Sequence, residues 1–211
     1  MFDIEYKGGN TIVVTTKKAT LAIDPKQSVV GLKDHVIKDA VQLATEERFV
    51  VPAGEYRLLL EGPGEYEVSD FSIRGIPATR HIDADDSLPL STMYRIEVGG
   101  VTIAVLGNIA PKLSEDQLEG IGVVDVVILP VGGGGYTLDA TSAASIVRQI
   151  DPKVVIPVHY ADAALKYEVP QDTLETFTKE LGAPTEEVAK YKVKSASAVP
   201  EVLTTVIVAR S

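Results

Sequence analysis

His35, His81 and His159 are the only histidines in the chain, and there is no cysteine. Any metal chemistry must therefore rest on imidazole and carboxylate groups. A catalytic zinc takes about three such protein ligands and a water. His159 stands at the end of an apolar run, Val154 to Val158, with Tyr160 behind it. His81 sits in a polar loop from Thr79 to Leu90, TRHIDADDSLPL. His35, between Asp34 and Val36, belongs to no motif and reads as a surface residue. The other two have a second reading: His159 as a buried, hydrogen-bonded side chain at a strand end, His81 as a solvated one. Asp83, Asp85 and Asp86 could chelate calcium, but they lack the glycine and distal glutamate of a calcium loop. A solvated acidic loop is the expectation there.

Two further stretches carry chemistry. Gly132 to Gly135 form a run of four glycines, whose backbone N–H groups could cradle an anion. The run lacks the Lys-Ser/Thr of a P-loop, and Gly-x-Gly-x-x-Gly fails because the sixth position from Gly132 is Thr137. Glu46-Glu47-Arg48 follows the short run Ala40 to Ala44. Its guanidinium could supply a fixed positive charge and so an electrostatic anion site. The plainer reading of that tripeptide is a solvated loop tip.

These residues are positioned by one organising stretch, Asp125 to Tyr160. Val126 to Val131 is apolar and rich in β-branched residues, which suits a buried strand. The glycines let the chain turn sharply. Thr137 or Asp139 can cap the helix that follows, in which Ala140, Ala143, Ala144, Val147 and Ile150 share one face. Asp151-Pro152 stops it, and Val154 to Val158 is the next strand. Ligands gather beyond the carboxyl ends of such strands, where both the glycine run and His159 lie.

The rest of the chain predicts more strands than helices. Ile12 to Thr16 pairs with Thr20 to Ile23 around Lys17-Lys18, a solvated turn. Ala40 to Ala44, Phe49 to Pro52 and Arg57 to Leu60 are short strands. Glu61-Gly62-Pro63-Gly64 is a turn. Tyr66 to Val68 and Phe71 to Ile76 form a hairpin. Thr92 to Val98 and Val101 to Leu106 form another, joined by Gly99-Gly100. Leu113 to Leu118 is a short helix with Ser114 as a candidate N-cap. Asp172 to Leu181 is a helix ending at Gly182, and Val202 to Ala209 is a last strand. Lys190, Lys192 and Lys194 fit the outer face of a strand. Strands first and alternating strands and helices later suit mixed sheets packed face to face with helices outside. No repeat is visible at a fixed spacing.

At 211 residues the chain can bury one sizeable core, and no Pro/Ser-rich linker divides it, so residues 1–211 read as one domain. Its 45% hydrophobic and 24% charged content is that of an ordinary globule. No apolar run is long enough to span a bilayer, and MFDIEYKGG lacks the basic and apolar parts of a signal peptide. A cytoplasmic location without membrane partners is expected. A net charge of −10 and a pI near 4.8 argue against nucleic acid, whose phosphates are met by Lys and Arg.

Several motifs, taken in order, resemble the metallo-β-lactamase superfamily. They are Ile23-Asp24-Pro25, Gly62 to Val68 (GPGEYEV), Arg74 to Pro77 (RGIP), Leu106 to Asn108 (LGN), Pro130 to Ala140 (PVGGGGYTLDA) and Pro152 to Tyr160 (PKVVIPVHY). The similarity is to its branch of small prokaryotic Zn-dependent hydrolase-like proteins, and it covers nearly the whole chain. It implies an α/β (α+β) fold, a four-layer αβ/βα sandwich of two mixed β-sheets flanked by helices, with the site at the strand ends between the sheets. Active members carry His-x-His-x-Asp-His after the strand placed here at Ala40 to Ala44. This chain has Thr45-Glu46-Glu47-Arg48-Phe49 instead. The family's bridging Asp corresponds to Asn108, a weaker cation ligand, and its N-terminal Gly-His to Gly8-Gly9.

By that resemblance His159 matches the last metal-binding histidine, and His81 lies close to another. Asp24 matches an aspartate that supports the site from behind the ligands. These three are the metal candidates. The implied cleft is lined by Thr45, Glu46 and Asn108 and by Gly132, Gly133, Gly134, Gly135 and Tyr136. A full dinuclear site needs more histidines than the chain has. The preferred reading is thus a hydrolase-like fold with a degenerate metal centre, a non-catalytic or binding role, no resident cofactor and no assigned catalytic residue. The alternative is a hydrolase of esters, amides or phosphodiesters using a single weakly held Zn or other divalent ion, which would lower the pKa of a bound water. A third reading is an oligomer-forming module. A homo-oligomeric partner and a small anionic ligand both stay open.

Overall fold

The computed structural model describes residues 1–52, 56–82 and 90–211. Two mixed sheets pack face to face. The first runs β13-β1-β2-β3-β4-β5, built from β1 (Phe2–Gly8), β2 (Thr11–Thr15), β3 (Thr20–Ile23), β4 (Val41–Ala44), β5 (Leu58–Glu61) and β13 (Tyr191–Val193). The second runs β12-β14-β11-β10-β9-β8-β7-β6. Its strands are β6 (Gly64–Val68), β7 (Phe71–Ala78), β8 (Ser91–Val98), β9 (Val101–Val105), β10 (Val126–Pro130), β11 (Val154–Val158), β12 (Thr185–Val188) and β14 (Thr204–Val208). Three α-helices lie among the described residues: α1 (Glu115–Ile121), α2 (Ala140–Ile150) and α3 (Leu174–Leu181).

Strand alternation explains the sandwich. Along β1, Phe2, Ile4 and Tyr6 are buried while Asp3, Glu5 and Lys7 are half-buried on the other face. The inward set joins Ile12, Val14, Leu21 and Ile23 and meets Ile96, Ile103, Ile128 and Ile156 of the second sheet in one core. Each such aliphatic side chain contributes about 1.5–3 kcal/mol on burial. The outward charges of β1 pair instead, Lys7 with Glu5 at 2.8 Å and Lys190 with Glu5 at 2.9 Å. Strands β10 and β11 pair in parallel and are buried throughout, as expected where both faces are covered. The outer face of the second sheet carries the helices: Val127, Leu129 and Val155 pack with Ala143, Val147, Ile121 and Phe177. The helices thus flank the second sheet's side of the sandwich. Over the first sheet, the Gln42 side chain holds the backbone of Val51.

Local signals set most boundaries. Gly99 and Gly100 both take positive φ and close the β8–β9 hairpin, a turn whose twist suits the strands. Ser114 caps α1 in a reciprocal box with Gln117, so the helix starts at Glu115 rather than at Leu113. Asp139 caps α2 by accepting from the Ser142 N–H at 2.7 Å. The alternative cap, Thr137, accepts from the Gly133 N–H instead. Thr173 precedes α3, which begins at Leu174 rather than Asp172.

One expected strand is not formed. Phe49 to Pro52 follows a 3-10 turn, Glu47–Phe49, and the Val51 backbone is claimed by Gln42 rather than by a ladder. His35 is half-buried rather than at the surface, with its carbonyl accepting from the Tyr56 hydroxyl at 2.8 Å. Strands β1 and β12 were not anticipated. Asp83, Asp85 and Asp86 lie outside the described residues.

Candidate functional site

The site forms where the carboxyl ends of strands meet between the sheets. Two non-glycine residues there adopt left-handed backbone: Asp24 after β3 at φ 49° and His159 after β11 at φ 50°. Side chains with a Cβ seldom take this conformation, and such strain gathers at functional positions. The His159 N–H donates to the Gly9 carbonyl at 2.9 Å, tying the end of β11 to the β1–β2 turn. Gly132 passes so close that a Cβ would lie 2.3 Å from the His159 carbonyl oxygen. Only glycine leaves room for this approach, which is the structural use of the glycine run.

A single file of hydrogen bonds crosses the site. His159 Nδ1 lies 2.6 Å from Asn10 Oδ1. Asn10 Nδ2 donates to Asn108 Oδ1 at 3.0 Å, and Asn108 Nδ2 donates to Glu46 Oε1 at 2.9 Å. The other oxygen of Glu46 faces Arg48 Nε at 3.2 Å and Arg80 Nη1 at 3.8 Å. Asn10, Glu46, Asn108 and His159 are all buried. Arg48 lays its guanidinium 4.7 Å from the Phe49 ring centre and 5.3 Å from that of Tyr136. Such stacking holds a cation in place and contributes about 0.5–2 kcal/mol.

Burial governs the protonation states. It holds His159 neutral, pulling its pKa down to about 3, and the Arg48 charge acts in the same direction. Burial also raises the Asp24 carboxyl to about 7, against the opposing effect of its bonds from Thr45. Thr45 donates its N–H to one Asp24 oxygen and its hydroxyl to the other, both at 2.7 Å. Tyr136 is raised by its bond to Glu168.

Beside this file lies a cavity of about 180 Å³. Asp24, Lys26, Arg48, Tyr136, His159 and Tyr167 are among its polar and aromatic lining, with Val29, Val30 and Val169 on its apolar side. The His159 and Tyr167 rings lie 4.8 Å apart at 34°.

The candidates from sequence are distributed as follows. His159, Asp24 and Tyr136 line the cavity. Thr45, Glu46 and Asn108 stand behind it as hydrogen-bonding supports. His81 is held elsewhere: its N–H donates to the Asn108 carbonyl at 2.9 Å, and its Nδ1 lies 3.2 Å from the Gly135 carbonyl oxygen. Among the described residues, no group of three or more His, Asp or Glu side chains is placed to hold a metal ion. Asn10, Lys26, Tyr167 and Glu168 were missed. Asn10 follows Gly8-Gly9 and was within reach of sequence reasoning; the other three carried no signal.

Two mixed sheets flanked by helices, with a cleft at the strand ends, define the metallo-β-lactamase fold. A family profile described as "Beta-lactamase superfamily domain" matches residues 3–159, and the chain belongs to this family. It is 28% identical over 102 residues to a UPF0173 metal-dependent hydrolase of Carboxydothermus hydrogenoformans, covering 46% of this chain and 44% of that one. It is 33% identical over 100 residues to a UPF0173 metal-dependent hydrolase of Pyrococcus furiosus, with the same shares. The match spans less than half the length of these curated relatives. Among solved structures, a Thermotoga maritima protein described as a Zn-dependent hydrolase of the metallo-β-lactamase superfamily superposes with a TM-score of 0.75 at 20% identity, over 99% of both chains. Igni18, a metallo hydrolase from Ignicoccus hospitalis, gives 0.58 at 17% identity over 86% of this chain and 90% of its own. No helix among the described residues is long and apolar enough to cross a membrane.

Proposed function

We propose that this chain is a metallo-β-lactamase-fold protein whose metal centre has given way to a hydrogen-bonded network, and that it acts by binding a small ligand rather than by metal-dependent hydrolysis. The observation that carries this reading is the file His159–Asn10–Asn108–Glu46–Arg48. Its members do not fit a divalent ion. Two are neutral amides bonded to each other, one is a guanidinium, and the Glu46 carboxylate already faces two cations. Asp24 has both oxygens engaged by Thr45, and His81 is bonded to the glycine run. His81 also keeps Nε2 without a protein partner among the described residues, but it does not line the cavity, where His159 is the imidazole with an unpartnered nitrogen. One imidazole falls short of the three ligands zinc takes at a catalytic centre.

A fixed cation beside a cavity suits a small anion. The cavity's size, its aromatic walls and Arg48 support a ligand-binding role. The cytoplasmic location and single-domain organisation suggested by composition belong to the same reading.

The test is metal content by inductively coupled plasma mass spectrometry, on protein purified without chelator and dialysed against trace zinc and manganese. The expected result is metal well below one ion per chain, with no rise in melting temperature in micromolar zinc. A ligand that binds only the folded state would raise it. About one ion per chain, lost in His159→Ala, would overturn the reading in favour of a single-metal hydrolase.

A further inference from the structure

We propose, resting on that reading, that the cavity takes a small organic acid carrying an O–H or N–H close to its anionic group, the anion lying at Arg48 and the O–H or N–H donating to Nε2 of His159. The direction of the hydrogen-bonded file leads to this. A carboxylate only accepts, so Asn108 must turn its amino group to Glu46 and its carbonyl oxygen to Asn10. Asn10 must then offer its own amino group to Asn108 and its oxygen to His159. An oxygen facing Nδ1 requires Nδ1 to carry the proton. His159 is buried and meets no carboxylate among the described residues, so nothing supports a second proton on the ring, and a neutral imidazole has one. Nε2 is therefore a bare acceptor, on a residue that lines the cavity. No protein group among the described residues donates to it.

Glu46 thus acts across two amides as a positioning residue for the His159 tautomer. The histidine is no base near neutral pH. What it offers is a directional acceptor that rewards a donor and rejects a ligand lacking one, because a buried polar atom left unpaired is costly.

The second requirement is charge. Arg48 meets Glu46 through Nε, and its terminal nitrogens are paired with no carboxylate among the described residues. Lys26 lines the same cavity; Glu168, bonded to Tyr136, and Asp24 are the acidic groups on it. The third requirement is size and polarity. An apolar cavity of about 150 Å³ holds one benzene ring. The present one, about 180 Å³, suits one ring or a branched alkyl group with a short polar arm. Val29, Val30, Tyr136 and Tyr167 offer that body an apolar surface.

Mandelate and phenylacetate test the assignment, since they differ only in a hydroxyl beside the carboxylate. Calorimetric titration should show mandelate binding about fivefold tighter, the usual effect of one net hydrogen bond. The preference should vanish in His159→Phe, and both acids should weaken tenfold or more in Arg48→Met. Independently of any ligand, long-range 1H–15N spectra should show the His159 signal, identified by its loss in His159→Phe, with Nδ1 protonated and Nε2 bare. Should that variant fail to fold, the signal is assigned by elimination, as the one that persists in both His35→Gln and His81→Gln. Equal binding of the two acids, no binding of either, or a protonated Nε2 would overturn this proposal while leaving the metal-free reading intact. Stoichiometric metal with a metal-shifted Nε2 signal would overturn both.

Discussion

Asp24→Asn isolates the balance between burial and hydrogen bonding at the site. In the unfolded chain the Asp24 carboxyl ionises at its ordinary 3.8, whereas in the folded protein burial keeps the proton on up to about 7. The folded state holds its proton more tightly than the unfolded chain, so protonation stabilises the fold and rising pH draws that stabilisation away. That contribution is fully present below 3.8, declines as pH rises, and is gone above about 7. One pKa unit corresponds to about 1.4 kcal/mol, so the ceiling across this window is about 4 kcal/mol. Asparagine has nearly the same shape and can still accept from the Thr45 N–H, but it does not titrate. The variant should match the parent near pH 4 and become progressively more stable than it towards pH 8. Urea unfolding at about four pH values reads this as a growing difference in midpoint at constant slope. A difference independent of pH would refute the reasoning. One growing towards low pH would do so too, by showing that the two Thr45 bonds outweigh burial and keep the carboxylate charged.

Four further outcomes follow from the same geometry. His159, held neutral down to about 3 against an ordinary 6.5, contributes stability above 6.5 that is lost as pH falls toward 3. His159→Gln, which lacks that titration, should therefore gain on the parent as pH drops below about 6.5 in the same unfolding series. Gly132→Ala would press a methyl group to 2.3 Å from the His159 carbonyl oxygen; overpacking of this kind should cost about 1–3 kcal/mol, visible in the melting temperature. Asp139→Ala removes the cap of α2 and should cost about 1 kcal/mol in denaturant unfolding, with the site's histidine spectrum unchanged. Glu168→Gln should bring the Tyr136 phenol back down towards its ordinary pKa, since its bond to Glu168 is what raises it, as read by difference absorbance titration at alkaline pH.

The readable parts of this protein are those whose cause is local. The run from Val126 to Tyr160 announces strand, glycine turn, helix and strand because residue type alternates with the period of each element. Its helix face and its stop at Asp151 fall as that pattern dictates. Gly99-Gly100 and Ser114 mark a hairpin and a helix start through their own backbone chemistry. The sandwich followed from the motifs resembling a known superfamily, and the placement of His159 at a strand end from the chain rule for parallel sheets. Composition alone set which soft and nitrogen donors are available: three histidines and no cysteine.

Which polar groups meet at the strand ends was decided only in three dimensions. Asn10 and Asn108 are 98 residues apart, Asn108 and Glu46 are 62 apart, and His159 and Asn10 are 149 apart. No periodicity links such positions. They meet because both sheets end their strands at the same edge of the sandwich, where burial leaves each polar group only the others to bond. The same burial removes the charge from His159 and raises Asp24, and Phe49 and Tyr136 close around Arg48 there. Sequence determined which groups were available; the packing of two sheets determined which of them touch, and so what the cavity can bind.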